Sequence, residues 1–550
     1  MILTEERLQD LLDKSLAELP PDTEWAVTLE GSIAEGFGNP SSDIDFLLVS
    51  RRADDLPTMP SLLFVDGRRV EIRTRSVRQL AEQFREVERS AGRPAGISED
   101  LLNRCQRVLH SHPLRGHALV EEVKALLPGE RFRRITAHWW AHRARQSLRH
   151  ALALQCLGES DEAVDWTRAA LVQSVKSWAA DLGETYLEPK WLSMQLDRAG
   201  RTDVRDRYWE LESAAVPPGD AGAAHFHLTA CLDFAEDLGL TDLPRRPERL
   251  TVARVAGVTT WQTGERVHVV RGRRDVFALG ADAGGVWRSL VLGRPLPRVL
   301  ADSAVTGVTD PGRIVAAFLR HGLVRLAWKG GGTVTPALPL AAPPGHVTPP
   351  PSTLQPLLSV GGAAVTGSRA VDLMPLPADR FAAAAMALVW SNVVVENAVE
   401  DLTGALRRGQ HRVAELTARR AVHAALRGLF SAHGVNPLPA DTDLVRRMEL
   451  LPEGTVPIGV RARELLARGV RSAEDGDALR AELRRFIALV RGAVGADSFP
   501  LSFDSAYTWR ATLQLGHDWL RMGAHLGAEL PIEEARDLLA GNGAQPHPAR

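Results

Sequence analysis

Thr28-Leu29-Glu30-Gly31-Ser32-Ile33-Ala34-Glu35-Gly36-Phe37-Gly38-Asn39-Pro40-Ser41-Ser42-Asp43-Ile44-Asp45-Phe46-Leu47-Leu48-Val49 is the stretch that decides how the chain is read. Its pattern predicts a short apolar strand over 25–29, a Gly-Ser turn, a loop, and a second strand over 44–49. Successive strand side chains point to opposite faces, so Asp43 and Asp45 share one. Two carboxylates on one face repel unless a cation sits between them. A Mg²⁺ ion held by one or two carboxylates and by substrate phosphates is the usual solution. Gly31-Ser32 suits those phosphates, because glycine permits close backbone approach and free N–H groups with a hydroxyl cradle an anion. An isolated Asp-x-Asp is more often a solvated strand start. The combination with the Gly-Ser turn at this spacing sets this one apart.

Gly31-Ser32, Ala34, Gly36 and Ser42-Asp43-Ile44-Asp45-Phe46 resemble the signature of the nucleotidyltransferase superfamily. That family carries a third carboxylate on a later strand. Here the candidate is Glu71 in Arg68-Arg69-Val70-Glu71-Ile72-Arg73, flanked by β-branched residues as a strand residue should be. The resemblance, to antibiotic-nucleotidyltransferase and MNT-like catalytic domains, implies metal ligation and catalysis by Asp43, Asp45 and Glu71. It implies nucleotide binding by Gly31, Ser32 and Ser42, with Mg²⁺ as cofactor and ATP or another NTP as substrate.

A chain of 550 residues is too long for one core and should hold about three or four domains. Its formal net charge of −2 argues against a dedicated nucleic-acid binder, although a local basic patch is compatible with it. Cys105, Cys156 and Cys231 are widely spaced, with neither metal nor redox spacing, and fit a reducing compartment. The N-terminus reads as an amphipathic helix start rather than a signal peptide. No apolar run is long enough to span a membrane. The expected location is the cytoplasm.

In chain order, 1–115 is expected to be the catalytic α/β domain. It has a leading helix over 5–19, the two motif strands, a hairpin at 64–71 and a helix over 77–87. Residues 116–247 read as a helical bundle, with helices over 137–157 and 163–182 ended by Gly158 and Gly183. The bundle resembles the helical domain that follows the catalytic domain in antibiotic nucleotidyltransferases, and the related HEPN fold. Lys190 is a candidate phosphate ligand there, and equally a solvated lysine after a proline. Glu159, Asp161 and Glu162 are favourable at a helix N-terminus in any case and receive no role. Arg145-x4-His150 fits the loose HEPN ribonuclease pattern, but Arg133 and His138 repeat the spacing, and a nuclease is rejected.

Residues 250–328 carry strands at 266–270 and 275–279, then a helix over 283–292 stopped by Gly293, a second short helix, and a third over 311–321. Phe277-Ala278-Leu279, Gly284-Gly285-Val286-Trp287, Gly293-Arg294-Pro295-Leu296 and Phe318-Leu319-Arg320-His321-Gly322-Leu323-Val324 resemble the PqqD-like winged helix. That resemblance implies binding of a ribosomally made leader peptide by strand addition. A purely structural winged helix and a DNA-binding one using Arg271, Arg273 and Arg274 are the alternatives. Residues 329–379 have linker composition, with 357–373 apolar enough to form strands. Residues 380–545 read as a second helical bundle with helices over 381–406 and 413–433, laid out like the first. Within it, the aromatics of 503–509 and a helix over 510–522 are expected to be core, and 541–550 a disordered tail.

The expected fold class is therefore α+β: an N-terminal nucleotidyltransferase α/β domain, a helical bundle, a PqqD-like winged helix and a C-terminal helical bundle. The implied activity is Mg²⁺-dependent transfer of NMP, most simply AMP, to a precursor peptide docked at 250–328. A small-molecule acceptor of the antibiotic type is the alternative enzyme. A non-catalytic nucleotide sensor or antitoxin-like partner is the alternative outside enzymes.

Overall fold

Strand β2 (Ile44–Ser50) is buried along its whole length and sits at the centre of a five-stranded sheet. It pairs antiparallel with β1 (Ala26–Glu30) and parallel with β4 (Arg68–Ser76). The sheet is completed by β3 (Ser61–Val65), antiparallel to β4, and by β5 (His112–Arg115), antiparallel to β1. The computed structural model describes residues 4–16, 25–39, 42–51, 60–66, 68–263, 266–271, 275–279, 281–290, 293–320, 322–334, 358–360, 363–364, 373–375, 378–433, 435 and 438–494.

The two faces of the sheet bury different partners, as a period of two requires. Ile44, Phe46 and Leu48 pack with Leu8, Leu11 and Leu12 of α1 (Glu5–Leu16). Leu47 and Val49 pack on the opposite face with α3 (Val77–Ser90), α4 (Glu99–Leu109) and the start of the helix at Gly129–Cys156. A reciprocal capping box opens α3: Ser76 Oγ accepts from Gln79 N–H, and the Gln79 side chain accepts from Ser76 N–H. Between β1 and β2, the Gly31–Ala34 segment (α2) is a helical turn, where a plain turn was expected. Helix α4, like β5, lies in a part of the chain for which no element is expected, whereas α5 (His117–Lys124) opens the stretch expected to be helical.

Helices α6 (Gly129–Cys156) and α7 (Ser160–Asp181) form a long hairpin. Gly158 and Gly183 follow them at φ +81° and +103°, a conformation that favours glycine and ends each helix where expected. Helices α8 (Leu192–Arg198), α9 (Thr202–Glu212) and α10 (Ala221–Asp237) complete this layer.

The segment after residue 247 contains two small sheets rather than one winged-helix sheet. Strands β7 (Val258–Thr263), β8 (Arg266–Arg271) and β9 (Asp275–Leu279) form one antiparallel sheet. The other has the order β10-β6-β11-β12, from Arg294–Pro295, Leu250–Arg254, Val324–Trp328 and Gly332–Thr333. Three helices accompany them: α11 (Ala281–Ser289), α12 (Leu296–Val305) and α13 (Pro311–Arg320). No specific PqqD-like module is identifiable in this arrangement. Gly312 of α13 faces Leu157, the residue that follows α6, so closely that a Cβ there would lie 2.4 Å from the Leu157 carbonyl oxygen. The start of α13 is thus packed against protein, which does not suit a DNA-reading helix. The arginines at 273 and 274 lie outside the described residues, as does most of the Pro/Gly-rich stretch. Within that stretch, Leu358–Val360, Ala363–Ala364 and Leu373–Pro375 (β13 to β15) form three short strands.

A second long hairpin, α14 (Ala378–Arg407) and α15 (His411–Ala432), is followed by α16 (Val456–Leu466) and α17 (Ala473–Val494). Its core takes in Phe37, Tyr186 and Trp191 from far earlier in the chain. The expectations for 503–509, 510–522 and 541–550 lie outside the described residues. Among the described residues, no helix is long and apolar enough to cross a membrane.

Candidate active site

Register brings the acids together. Asp45 lies beside Glu71 across the parallel β2–β4 pair and beside Glu30 across β1–β2. Carboxylate oxygens of Asp43, Asp45 and Glu71 lie within 4.8 Å of one another. Gly31 stands at φ +73°, and a Cβ there would fall 2.2 Å from Asp45 Oδ2. Glycine is therefore required twice, for its conformation and for the space taken by a carboxylate. An all-oxygen cluster of this kind suits a hard divalent ion such as Mg²⁺.

Arginines now hold these acids. Arg69 donates to Asp43 Oδ2 at 3.2 Å, and Arg73 Nε to Glu71 Oε1 at 2.6 Å. Arg107 lies 2.9 Å from Asp45 and 3.3 Å from Glu30. Burial pushes the Asp43 carboxyl up, but Arg69, Arg107 and Lys190 outweigh it and hold the group below the ordinary range. Asp45 is raised to about 7, by burial and by Asp43 and Glu71, against the pull of Arg107. Binding a divalent ion would remove that penalty, because the ion favours the ionised form.

The acids open into a cleft of about 230 Å³ whose far wall comes from two remote segments. Tyr186, Glu188, Lys190 and Trp191 follow α7, while Asn397, Glu400, Asp401 and Arg420 belong to α14 and α15. Arg69 ties floor to wall, donating to Asn397 Oδ1 at 2.8 Å and pairing with Glu400 at 3.1 Å. Lys190 pairs with Asp401, and Arg420 with Glu188 at 3.1 Å. Burial raises the Glu400 carboxyl to about 7, with Asp43, Asp401 and Glu396 adding to the effect against Arg69. Coulombic attraction to Arg420 leads the causes that hold Glu188 below its ordinary range.

Lys176 is fully buried behind this wall. Its ammonium donates to Tyr186 O at 2.8 Å, Glu188 O at 2.9 Å and Gln195 Oε1 at 2.5 Å. It fastens the segment that presents the wall residues. The loop after Gly31 is fastened in turn by α14 and by its own backbone. Arg408 donates to Gly38 O at 2.6 Å. Ser32 O accepts from Phe37 N–H and Gly38 N–H.

Of the residues expected from sequence, Gly31, Ser32, Asp43, Asp45, Glu71 and Lys190 all line the cleft. Ser42 does not. It is buried and its hydroxyl accepts from Asn39 N–H at 2.9 Å, so it shapes the loop. Arg145 and His150 form no joint site: Arg145 donates to Thr241 O, and His150 is enclosed with its ring against Trp166. Sequence reasoning missed Arg69, Arg73, Arg107, Glu188, Glu400, Asp401 and Arg420. The alternation Arg69-Glu71-Arg73 could have revealed the two strand arginines. No local signal marks the residues of α14 and α15.

No family model matches the chain, and no curated protein matches it. Among solved structures it is similar to a nucleotidyltransferase-like protein from Exiguobacterium sibiricum 255-15. The match has 13% identity and a TM-score of 0.27, covering 42% of this chain and 74% of that one. Likeness at that level carries no argument; the site geometry does.

Proposed function

We propose that the protein is a Mg²⁺-dependent nucleotidyltransferase that moves a nucleoside monophosphate, most simply AMP from ATP, onto a small hydroxylated acceptor. The observation that carries this reading is the convergence of Asp43, Asp45 and Glu71 in a cleft beside the Gly31-Ser32 turn. Divalent ions held by these three acids would neutralise the triphosphate and polarise its α-phosphorus. Gly31 N–H and Ser32 would hold the outer phosphates, and Lys190 and Arg69 would exchange carboxylate partners for phosphate oxygens. The acceptor oxygen bonds to the α-phosphorus as the bridging P–O bond breaks, and pyrophosphate leaves with that electron pair. Glu400, facing the cleft with a raised affinity for protons, would take the acceptor's proton.

Glu188, Glu400 and Asp401 line the cleft, and acids there would favour an acceptor carrying amino groups. A precursor-peptide acceptor is the second reading, and it rests on the sequence resemblance over 250–328 alone. The test is pyrophosphate release with each NTP and Mg²⁺, supplied in turn with amine-bearing polyols and leader-bearing peptides, beside Asp43→Asn. The expected result is release that needs Asp43, with a nucleotide mass added to a polyol. Mass added to a peptide would move the acceptor assignment, and nucleotide binding without release under any condition would leave only a sensor.

A further inference from the structure

A second cavity, of about 240 Å³, lies between α6, the last turn of α7 and residues 238–240 after α10. It shares no lining residue with the cleft. Arg134, His138 and Arg145 line it from one face of α6, and Ser177, Trp178 and Asp181 from α7. The cations are poorly neutralised. Among the described residues Arg134 pairs with Glu130 alone, at 3.6 Å and with both side chains well exposed, a pairing of little strength. Arg145 spends its Nε–H on Thr241 O at 2.7 Å. Among the described residues, no carboxylate lies within ion-pair distance of Arg145 or His138.

His142 lies one turn beyond His138 on α6. Burial lowers its proton affinity, and the positive charges of Arg149, His138, Arg145 and Arg143 lower it further. Trp178 forms a flat wall, with the Arg201 guanidinium 4.5 Å from its ring centre, although Arg201 is itself paired with Asp203. Asp181 is the one acid among the lining residues, and it is exposed.

We propose that this cavity is a second ligand site, binding a phosphate-bearing anion through Arg134, His138 and Arg145. Guanidinium forks match the oxygens of a phosphate, and the cavity holds more positive charge than its own acids balance. The nuclease pattern noticed in α6 is thus replaced by a binding role for part of the same basic stripe. Pyrophosphate and the phosphate of a nucleoside monophosphate are two sources of the same chemistry.

The test is calorimetric titration of the full chain, in EDTA, with pyrophosphate, AMP and adenosine. The proteins are wild type, Arg134→Gln/Arg145→Gln, His138→Gln and Arg145→Lys. Wild type should bind pyrophosphate or AMP and ignore adenosine; the tighter of the two anions identifies the source. The double variant should lose affinity by at least about tenfold, as expected for removing charge-assisted hydrogen bonds. His138→Gln, a change at an exposed position, should lose a smaller factor, and Arg145→Lys should retain part of the affinity. Equal anion binding by wild type and the double variant would overturn the proposal, as would adenosine binding as well as AMP. Absence of binding by wild type at millimolar anion would do the same.

Discussion

Replacing Gly31 with alanine should separate the cost of a strained backbone from the loss of a metal site. The residue sits at φ +73°, where a side chain is disfavoured, a penalty of about 1–2 kcal/mol. The new Cβ would also stand 2.2 Å from Asp45 Oδ2 and 3.2 Å from its Cγ. Asp45 must then turn away, adding about 1 kcal/mol for a displaced rotamer and disturbing its 2.9 Å pairing with Arg107. Gly36 supplies the control, because it has φ +77° and nothing within 4 Å of a built Cβ. Gly31→Ala should therefore cost roughly 2–3 kcal/mol and Gly36→Ala roughly 1–2 kcal/mol, read from urea unfolding of the domain that holds the sheet. Only the first should impair binding of Mn²⁺, a spectroscopic substitute for Mg²⁺. The loss should be at least about 100-fold, since a ligand itself is displaced rather than a group supporting one. Equal Mn²⁺ affinity in the two variants would refute the placement of Asp45 in the metal site.

Two further outcomes test the wall of the cleft. Lys176→Met removes three donors but leaves Tyr186 O the Gln195 amide at 3.2 Å. Glu188 O keeps Trp191 N–H at 3.3 Å, so the one orphaned acceptor, Gln195 Oε1, should cost about 1–3 kcal/mol, seen as a lower thermal midpoint with faster hydrogen exchange over 184–195; an unchanged midpoint would contradict the clamp. For Glu400, a folded pKa raised to about 7 from an ordinary 4.5 means that the native state holds the proton more tightly than the unfolded state. Its contribution is fully present below the ordinary value and is lost as pH rises through 7, so the metal-free protein should weaken from about pH 5 to about pH 8. Glu400→Gln should make that part of the profile shallower, with the remaining slope coming from Asp45, which is also raised to about 7, and parallel thermal-midpoint curves for the two proteins would count against it.

The sequence by itself determined the floor of the site. The second strand, the shared face of Asp43 and Asp45, and the glycine at 31 follow from local rules of strand period and backbone freedom. Helix ends at Gly158 and Gly183 were legible for the same reason, each being written in a few adjacent residues. The soft hydrophobic pattern after 250 was a poorer guide. A winged helix and a pair of small sheets with three helices share much the same apolar spacing, and strand pairing is not encoded locally.

Tertiary structure decided the wall. Glu400, Asp401 and Arg420 stand more than three hundred residues from Asp43 along the chain, and nothing around them in sequence distinguishes them from surface charges on a helix. Phe37 explains how they arrive. Its ring stacks on Trp191 at 5.8 Å and is buried in one apolar core with Val395, Ala398 and Leu402 of α14. Burying that ring draws the loop after Gly31 and the C-terminal hairpin together, and the carboxylates of α14 come with it. A local pattern specifies which groups face one way along a strand; only the packing of distant apolar surfaces specifies what faces them.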